Sequence, residues 1–306
     1  MDGFTLNLVF MGLGVALLYY GAESLIKGSA SFALRMGLPP LVVGLTVVGY
    51  GTGMPELIVS VDASLMQRGE IAIGNVIGSN ICNIGLIMGL SAMIRPLAVK
   101  RQLVRYDVPI MIAISILFPI MLINGYLSSW KGALFLLSLF IYTGWAIHFC
   151  KTHDHGENVE VEDEVPNLNK NAWVDWMFII AGFAGMWLGA RLFVTGTVAV
   201  AKVFGVSDAV IGLSVVAFGT SLPELATSMI AIMRNQRDLA VGNLIGSNIF
   251  NILAIVGVTG LIHPFVIQGI NWIDYGVMIL FAVAVLPIMI TDFAVKRWEG
   301  ALLFVG

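Results

Sequence analysis

Charge is scarce in this chain. Asp, Glu, Lys and Arg together supply 11% of its 306 residues, where soluble domains carry about 25%. Hydrophobic residues supply 58%, and the mean hydropathy is +0.92. A water-soluble globular domain of this size is excluded. Cysteine is limited to Cys82 and Cys150, and Cys82 falls inside an apolar run, so there is no disulfide framework. Histidine occurs four times. No Ser–His pair, histidine cluster or paired aspartate motif falls at membrane depth, so an enzyme is not expected. The N-terminus lacks a basic region and a small-residue cleavage site, and the first apolar run is read as a retained helix. The net charge of -3 says little, because the charges sit in loops and at helix ends. Nothing points to nucleic acid, to a cofactor or to a protein partner.

What the chain does have is long apolar runs. A helix needs about 20 apolar residues to cross a bilayer. Such runs cover roughly 5–26, 39–66 with a break, 71–94, 107–126, 130–149, 173–194, 208–233 with a break, 239–262 and 271–292. The closing stretch "KRWEGALLFVG" is too short to cross alone.

The chain is also doubled. At an offset of 168 residues, "VVGLTVVGYGTGMPELIVS" (42–60) lies over "VIGLSVVAFGTSLPELATS" (210–228) without a gap. "GNVIGSNICNI" (74–84) lies over "GNLIGSNIFNI" (242–252), with nine of eleven residues identical. "WKGALFLL" (130–137), which opens a full span, lies over "WEGALLFV" (298–305). The expected fold is therefore an all-α integral membrane protein of ten helices in two five-helix repeats, the tenth helix truncated in this chain. Residues 1–150 form the first repeat, 151–172 an acidic linker and 173–306 the second repeat. Five spans per repeat insert the halves in opposite orientations, the inverted plan of secondary transporters. With the N-terminus outside, twelve basic residues face the cytoplasm against four elsewhere. The linker, with His153, Asp154, His155 and the acids at 160–164, reads as a solvated cytoplasmic segment, with a metal-sensing loop as the alternative.

Two acidic residues lie near the centres of apolar runs: Glu56 and its repeat mate Glu224. An acid at that depth is costly and marks a functional site. An inverted repeat brings the two together near the midplane, and two carboxylates without a nearby Lys or Arg require a cation. Pro55 and Pro223, with Gly51, Gly53 and Gly219, should break each helix just before its glutamate. Broken helices free carbonyls toward a cavity. Ser79 and Asn83, like Ser247 and Asn251, are four residues apart and share a helix face. Such hard oxygen ligands suit Ca²⁺, Na⁺ or Mg²⁺ rather than Zn²⁺ or Cu²⁺. The stretch V-G-Y-G (48–51) looks like a potassium-channel filter, but the second half reads V-A-F-G. What recurs is G-T-x-x-P-E, so a channel is not expected. Glu23 and Arg191, also repeat mates, are expected to pair with one another. Trp130, Trp173, Trp176, Trp272, Tyr275 and Trp298 are expected at the membrane interface.

G-T-x-x-P-E followed by G-N-x-x-G-S-N-x-x-N, each present twice, resembles the alpha-repeats of the sodium/calcium exchanger branch of the cation/calcium antiporters. The likeness covers essentially the whole chain. It implies exchange of Na⁺ for Ca²⁺ by alternating access across a plasma or inner membrane. The first and sixth helices would slide over a core of helices two, three, seven and eight. The metal ligands it implies are Glu56, Glu224, Thr52, Thr220, Ser221, Ser79, Ser247, Asn83 and Asn251, with the backbone carbonyls of Gly49 and Ala217. Gly53 departs from the family's serine, and a proton/Ca²⁺ antiporter using the same carboxylates is the alternative. Asn251 replaces the aspartate of potassium-dependent relatives, so potassium transport is not expected.

Overall fold

The computed structural model describes residues 3–153, 171–205, 217–267 and 269–306. Most of the expected linker (154–170) and the first part of the expected seventh span (206–216) lie outside the described residues. Helix α1 spans Gly3–Met36 and ends where Gly37 turns left-handed at φ +63°. Pro39 and Pro40 open α2 (Pro40–Thr52), and Pro at the first helical turn fits because its missing N–H would be unpaired there anyway. Then follow α3 (Met54–Leu65), α4 (Gly69–Ile94), α5 (Leu103–Met121) and α6 (Ser129–His153). The second half holds α7 (Ala172–Val203), α8 (Ala217–Thr220), α9 (Leu222–Met233), α10 (Arg237–Ile262), α11 (Trp272–Ile290) and α12 (Arg297–Val305).

Seven of these helices are long and apolar enough to cross a bilayer, and α2 with α3 makes one more span, bent by 43°. The spans fall where the apolar runs place them. The first and sixth are longer than expected, at 34 and 32 residues. At 1.5 Å per residue each measures about 50 Å, against roughly 30 Å of hydrocarbon. Both must tilt or extend beyond the bilayer.

Four short strands display the internal symmetry. Strand β1 (Leu97–Ala98) pairs with β4 (Ala294–Val295), and β2 (Tyr126–Leu127) pairs with β3 (Phe265–Val266). Leu97 opposes Val295 and Leu127 opposes Phe265, so one ladder becomes the other when every residue is replaced by its mate 168 positions away. Helices α1 and α7 are also mates, and they run antiparallel. A Cβ added to Gly14 would lie 2.8 Å from the Gly189 carbonyl oxygen, one on Gly21 would lie 2.8 Å from the Met186 nitrogen, and one on Gly28 would lie 2.8 Å from the Asp175 carbonyl oxygen. Antiparallel mates require a two-fold axis perpendicular to them, and hence in the membrane plane.

Helix α10 lies at the centre. Every residue from Leu239 to Phe250 is buried, as expected of a helix packed on all sides. Gly242 and Gly246 let it meet α2 backbone to backbone: a Cβ on Gly246 would fall 2.2 Å from the Leu45 carbonyl oxygen.

Two expectations are corrected. Glu23 pairs with Arg234, not Arg191, whose guanidinium lies over the Trp187 ring. The antiparallel register explains this. Position 23 of α1 lies opposite Gly182 of α7, so Arg191 is about 14 Å away along the helix. Tyr275 is not an interface anchor. It is 6% exposed and its ring meets Phe118 edge-on at 5.6 Å.

The α1/α7 contact gives a direct check. Gly182→Ala places a methyl 2.7 Å from the Leu25 nitrogen, whereas Gly12→Ala meets nothing within 4 Å. Overpacking costs about 1–3 kcal/mol. Gly182→Ala is expected to lower the thermal unfolding midpoint in detergent by several degrees, with Gly12→Ala unchanged or slightly raised. Equal midpoints would show that this helix pair is not the tight contact described.

Candidate functional site

Each glutamate sits just past a helix break. Helix α2 ends at Thr52, Gly53 bridges at φ -77° and ψ 1°, and α3 starts at Met54 with Pro55 in its first turn. In the second repeat Ser221 bridges α8 and α9 at φ -84° and ψ 4°, with Pro223 in the first turn of α9. Glu56 and Glu224 therefore occupy the first turn of the helices that follow, near unpaired backbone N–H groups that favour negative charge. Both are buried, at 1% and 0% exposed.

Two asparagines brace these breaks in matching fashion. Asn75 Nδ2 donates to the Glu56 carbonyl oxygen at 3.1 Å and to Ser60 Oγ at 2.9 Å. Asn243 Nδ2 donates to the Glu224 carbonyl oxygen at 3.5 Å and to Ser228 Oγ at 3.1 Å. Each repeat thus ties its broken helix to the next one through one amide.

Across the two-fold axis the repeats interlock. Thr52 Oγ1 donates to Asn243 Oδ1 at 3.1 Å. Ser247 Oγ donates to the Gly49 carbonyl oxygen at 3.2 Å and lies 3.4 Å from Thr52 Oγ1. Ser221 Oγ donates to Glu56 Oε1 at 3.4 Å. Asn251 Nδ2 donates to Asn80 Oδ1 at 3.2 Å, and Asn83 Nδ2 to Asn248 Oδ1 at 3.5 Å. These last two contacts are two-fold mates. Asn83 and Asn251 both lie in wide π-helical turns, Cys82–Met88 and Asn251–Ile255, a distortion common at functional sites.

Several oxygens in this cluster have no hydrogen-bond partner among the described residues: Glu56 Oε2, both carboxylate oxygens of Glu224, Asn83 Oδ1 and Asn251 Oδ1. Thr52 sits beside the Glu224 carboxylate, yet its hydroxyl turns to Asn243. No Lys or Arg pairs with either glutamate among the described residues. No group of three or more His, Cys, Asp and Glu side chains occurs there either. The site is two carboxylates set among hydroxyl, amide and carbonyl oxygens. Such a set favours a hard cation.

The structure thus joins Glu56 to Ser221 and gathers Thr52, Gly49 and Ser247, while Asn83 and Asn251 meet Asn248 and Asn80. Ser79 is buried one turn before Asn83. Ala217 opens α8 and Thr220 closes it. Sequence reasoning left Asn80 and Asn248 without a role and Asn75 and Asn243 undecided. Their signal was recurrence at the 168-residue offset within the same motif.

A cavity of about 320 Å³ reaches this cluster at Thr52. Its walls are mostly apolar, from Met54, Pro55, Phe183, Trp187 and Pro223.

Comparison with known proteins agrees with this geometry. The family profile described as "Sodium/calcium exchanger protein" matches residues 6–148 and 174–306. A putative antiporter, CaxA of Alkalimonas amylolytica, is 38% identical over 85% of this chain and 82% of its own length. The sodium/calcium exchanger MaX1 of Methanosarcina acetivorans is 31% identical over 98% of this chain and 95% of its own. A solved structure of the sodium-calcium exchanger NCX_Mj superposes with a TM-score of 0.85 at 33% identity, covering 98% of this chain and 96% of that one.

The asparagine brace is testable alone. Asn243→Leu strands the Ser228 hydroxyl and takes one partner each from the Glu224 carbonyl and the Thr52 hydroxyl. Each buried group left unpaired costs about 1–3 kcal/mol. Asn243→Leu is expected to lower thermal stability clearly. In a double-mutant cycle with Ser228→Ala the two losses should be less than additive; strict additivity would show that the contact carries no energy.

Proposed function

This chain belongs to the sodium/calcium exchanger protein family, and from that premise we propose that it exchanges Na⁺ for Ca²⁺ at a midplane site held by Glu56 and Glu224. It is an integral membrane protein of the antiporter type. The observation that carries the site is the pair of buried carboxylates with unpartnered oxygens and no basic neighbour. One Ca²⁺ balances the two charges. Thr52, Thr220, Ser221, Ser79, Ser247, Asn83 and Asn251, with the carbonyls of Gly49 and Ala217, supply neutral oxygens around it. Na⁺ ions use the same carboxylates, so the two loads exclude one another. An empty site would leave two mutually repelling charges buried, which disfavours crossing without cargo.

Alternating access finds support in an asymmetric contact. Gly51 lies against the Phe183 ring, and its mate Gly219 lies against Val194. Both partners belong to α7. Strict two-fold symmetry would set Val15 of α1 against Gly219 and Ile26 of α1 against Gly51. The α1/α7 pair therefore sits off-centre on a symmetric core. The exchanged set of contacts describes a second state of equal plausibility on symmetry grounds. The basic residues favour an N-terminus outside and a cytoplasmic segment between the repeats, in a plasma or inner membrane. The repeats themselves we assign to 1–150 and 173–306.

Proton-coupled Ca²⁺ exchange is the second reading. Gly53 favours it, because one hydroxyl expected of a sodium site is missing.

Reconstituted vesicles separate the readings. Ca²⁺ uptake driven by an outward Na⁺ gradient, and insensitive to a protonophore, is expected. Uptake that follows a pH gradient and ignores Na⁺ would replace the first reading with the second. Glu56→Gln and Glu224→Gln each strand a buried ion, a loss of about 3–5 kcal/mol. That is at least about a hundredfold in Ca²⁺ affinity. Both variants should abolish uptake, and undiminished uptake in both would remove these residues from the site.

A further inference from the structure

The two-fold plan is broken at one place inside the site. On one side, the Ser221 hydroxyl reaches Glu56 Oε1. The symmetric partner of that contact would be residue 53 reaching Glu224. Residue 53 is glycine, and both oxygens of Glu224 lack a hydrogen-bond partner among the described residues. The space is not left for water. A Cβ on Gly53 would lie 2.8 Å from Phe250 Cδ1 and 3.1 Å from its Cε1, so the aromatic ring stands where a residue-53 side chain would begin. That Cβ would also lie 3.4 Å from the Gly49 carbonyl oxygen. The missing hydroxyl would therefore belong to the lobe that Gly49, Thr52 and Ser247 share.

The ring is held firmly. Phe250 is 6% exposed. Tyr50 stacks on it with centroids 5.1 Å apart and planes at 26°. The Tyr50 hydroxyl is anchored by Thr143 Oγ1 at 2.7 Å. The repeat mate of Phe250 is Cys82, a much smaller residue. Under the two-fold plan the counterpart of the Gly53/Phe250 contact is Ser221 with Cys82.

Resting on the exchanger reading, we infer that Gly53 and Phe250 together remove one monovalent-cation place beside Glu224, so that this chain binds one fewer Na⁺ than its two-fold plan offers. A small monovalent ion leaving water needs several oxygens at once. On this side the ring supplies carbon where the other side supplies a hydroxyl. A divalent ion between the two carboxylates does not depend on that position. Ca²⁺ binding survives the loss, and the coupling ratio changes. Phe250 is thus a specificity-determining residue that touches no ion.

The test transplants one lobe onto the other. Equilibrium binding of ²²Na⁺ to the purified full chain is measured without Ca²⁺, alongside the Hill coefficient for Na⁺ in releasing bound ⁴⁵Ca²⁺. The double variant Gly53→Ser/Phe250→Cys copies the Ser221/Cys82 pair. It is expected to bind one more Na⁺ per chain than the parent, and its Hill coefficient should rise. Phe250→Cys alone opens space without adding a ligand and should leave the count unchanged. The converse double variant Ser221→Gly/Cys82→Phe should bind one fewer Na⁺, and it decides the matter if the first variant does not fold. An unchanged Na⁺ count in a double variant that still binds ⁴⁵Ca²⁺ overturns the inference. Failure of the exchanger reading shows itself separately, in the parent. If the parent takes up Ca²⁺ on a pH gradient alone, Na⁺ coupling falls. A Na⁺ gained by the double variant on that parent would still uphold the role of Gly53 and Phe250.

Discussion

Two buried carboxylates with no basic partner are the constraint around which this structure is arranged. A charge inside a membrane protein is costly unless something replaces its water. Here the replacement is assembled from small contributions. The breaks at Gly53 and Ser221 put each glutamate in the first turn of a helix. Asn75 and Asn243 hold the glutamate carbonyls and so fix where each side chain starts. The remaining oxygens, on Thr52, Ser247, Asn83 and Asn251, come from helices that cross the two-fold axis. None of this neutralises the charge. Under the proposed function the balancing charge is the transported ion, which comes from outside.

The rest of the fold divides into a densely packed core around that place and the helix pair that lies across it. Helix α10 is buried on every side, and its glycines meet the α2 backbone directly. Interiors packed at that density do not deform gradually. Helices α1 and α7 instead face one another through glycines, along lengths greater than the bilayer requires. Where α7 meets the helix segments before the breaks, Phe183 and Val194 rest on bare glycines, while α1 packs along α9 and is tied to it through Glu23 and Arg234. The alternating access proposed above would carry the pair across these contacts.

Much of this was legible in the sequence. The spans, the breaks just before Glu56 and Glu224 and the burial of both glutamates follow from short-range rules about length, depth and periodicity. The 168-residue offset added long-range information, because it related residues that no local rule connects. It misled for Glu23 and Arg191. Equivalence under an inverted repeat means equal environments, and antiparallel mates carry equivalent residues to opposite ends of a helix pair. Only residues near the axis meet their own mates. What could not be read was cross-axis pairing between residues that are not mates, such as Asn83 with Asn248, Thr52 with Asn243 and Gly53 with Phe250. Those depend on the distance between helices, which no spacing along one chain encodes.

Duplication starts a protein with two identical lobes, but transport does not need them to stay identical. In the proposed site a divalent cation between two carboxylates would lie close to the axis and draw on both repeats equally, so its demands would preserve symmetry. A monovalent ion displaced from the axis would meet mainly one repeat's break and the other's third helix, so its demands would fall on one lobe at a time. Substitutions that alter a single lobe can therefore change how many monovalent ions accompany the exchange without disturbing the divalent site. Gly53 with Phe250, set against Ser221 with Cys82, is a difference of this form. The two pairs differ in chemistry, a hydroxyl on one side and an aromatic ring on the other, and that difference fits the change in ion binding inferred for this lobe.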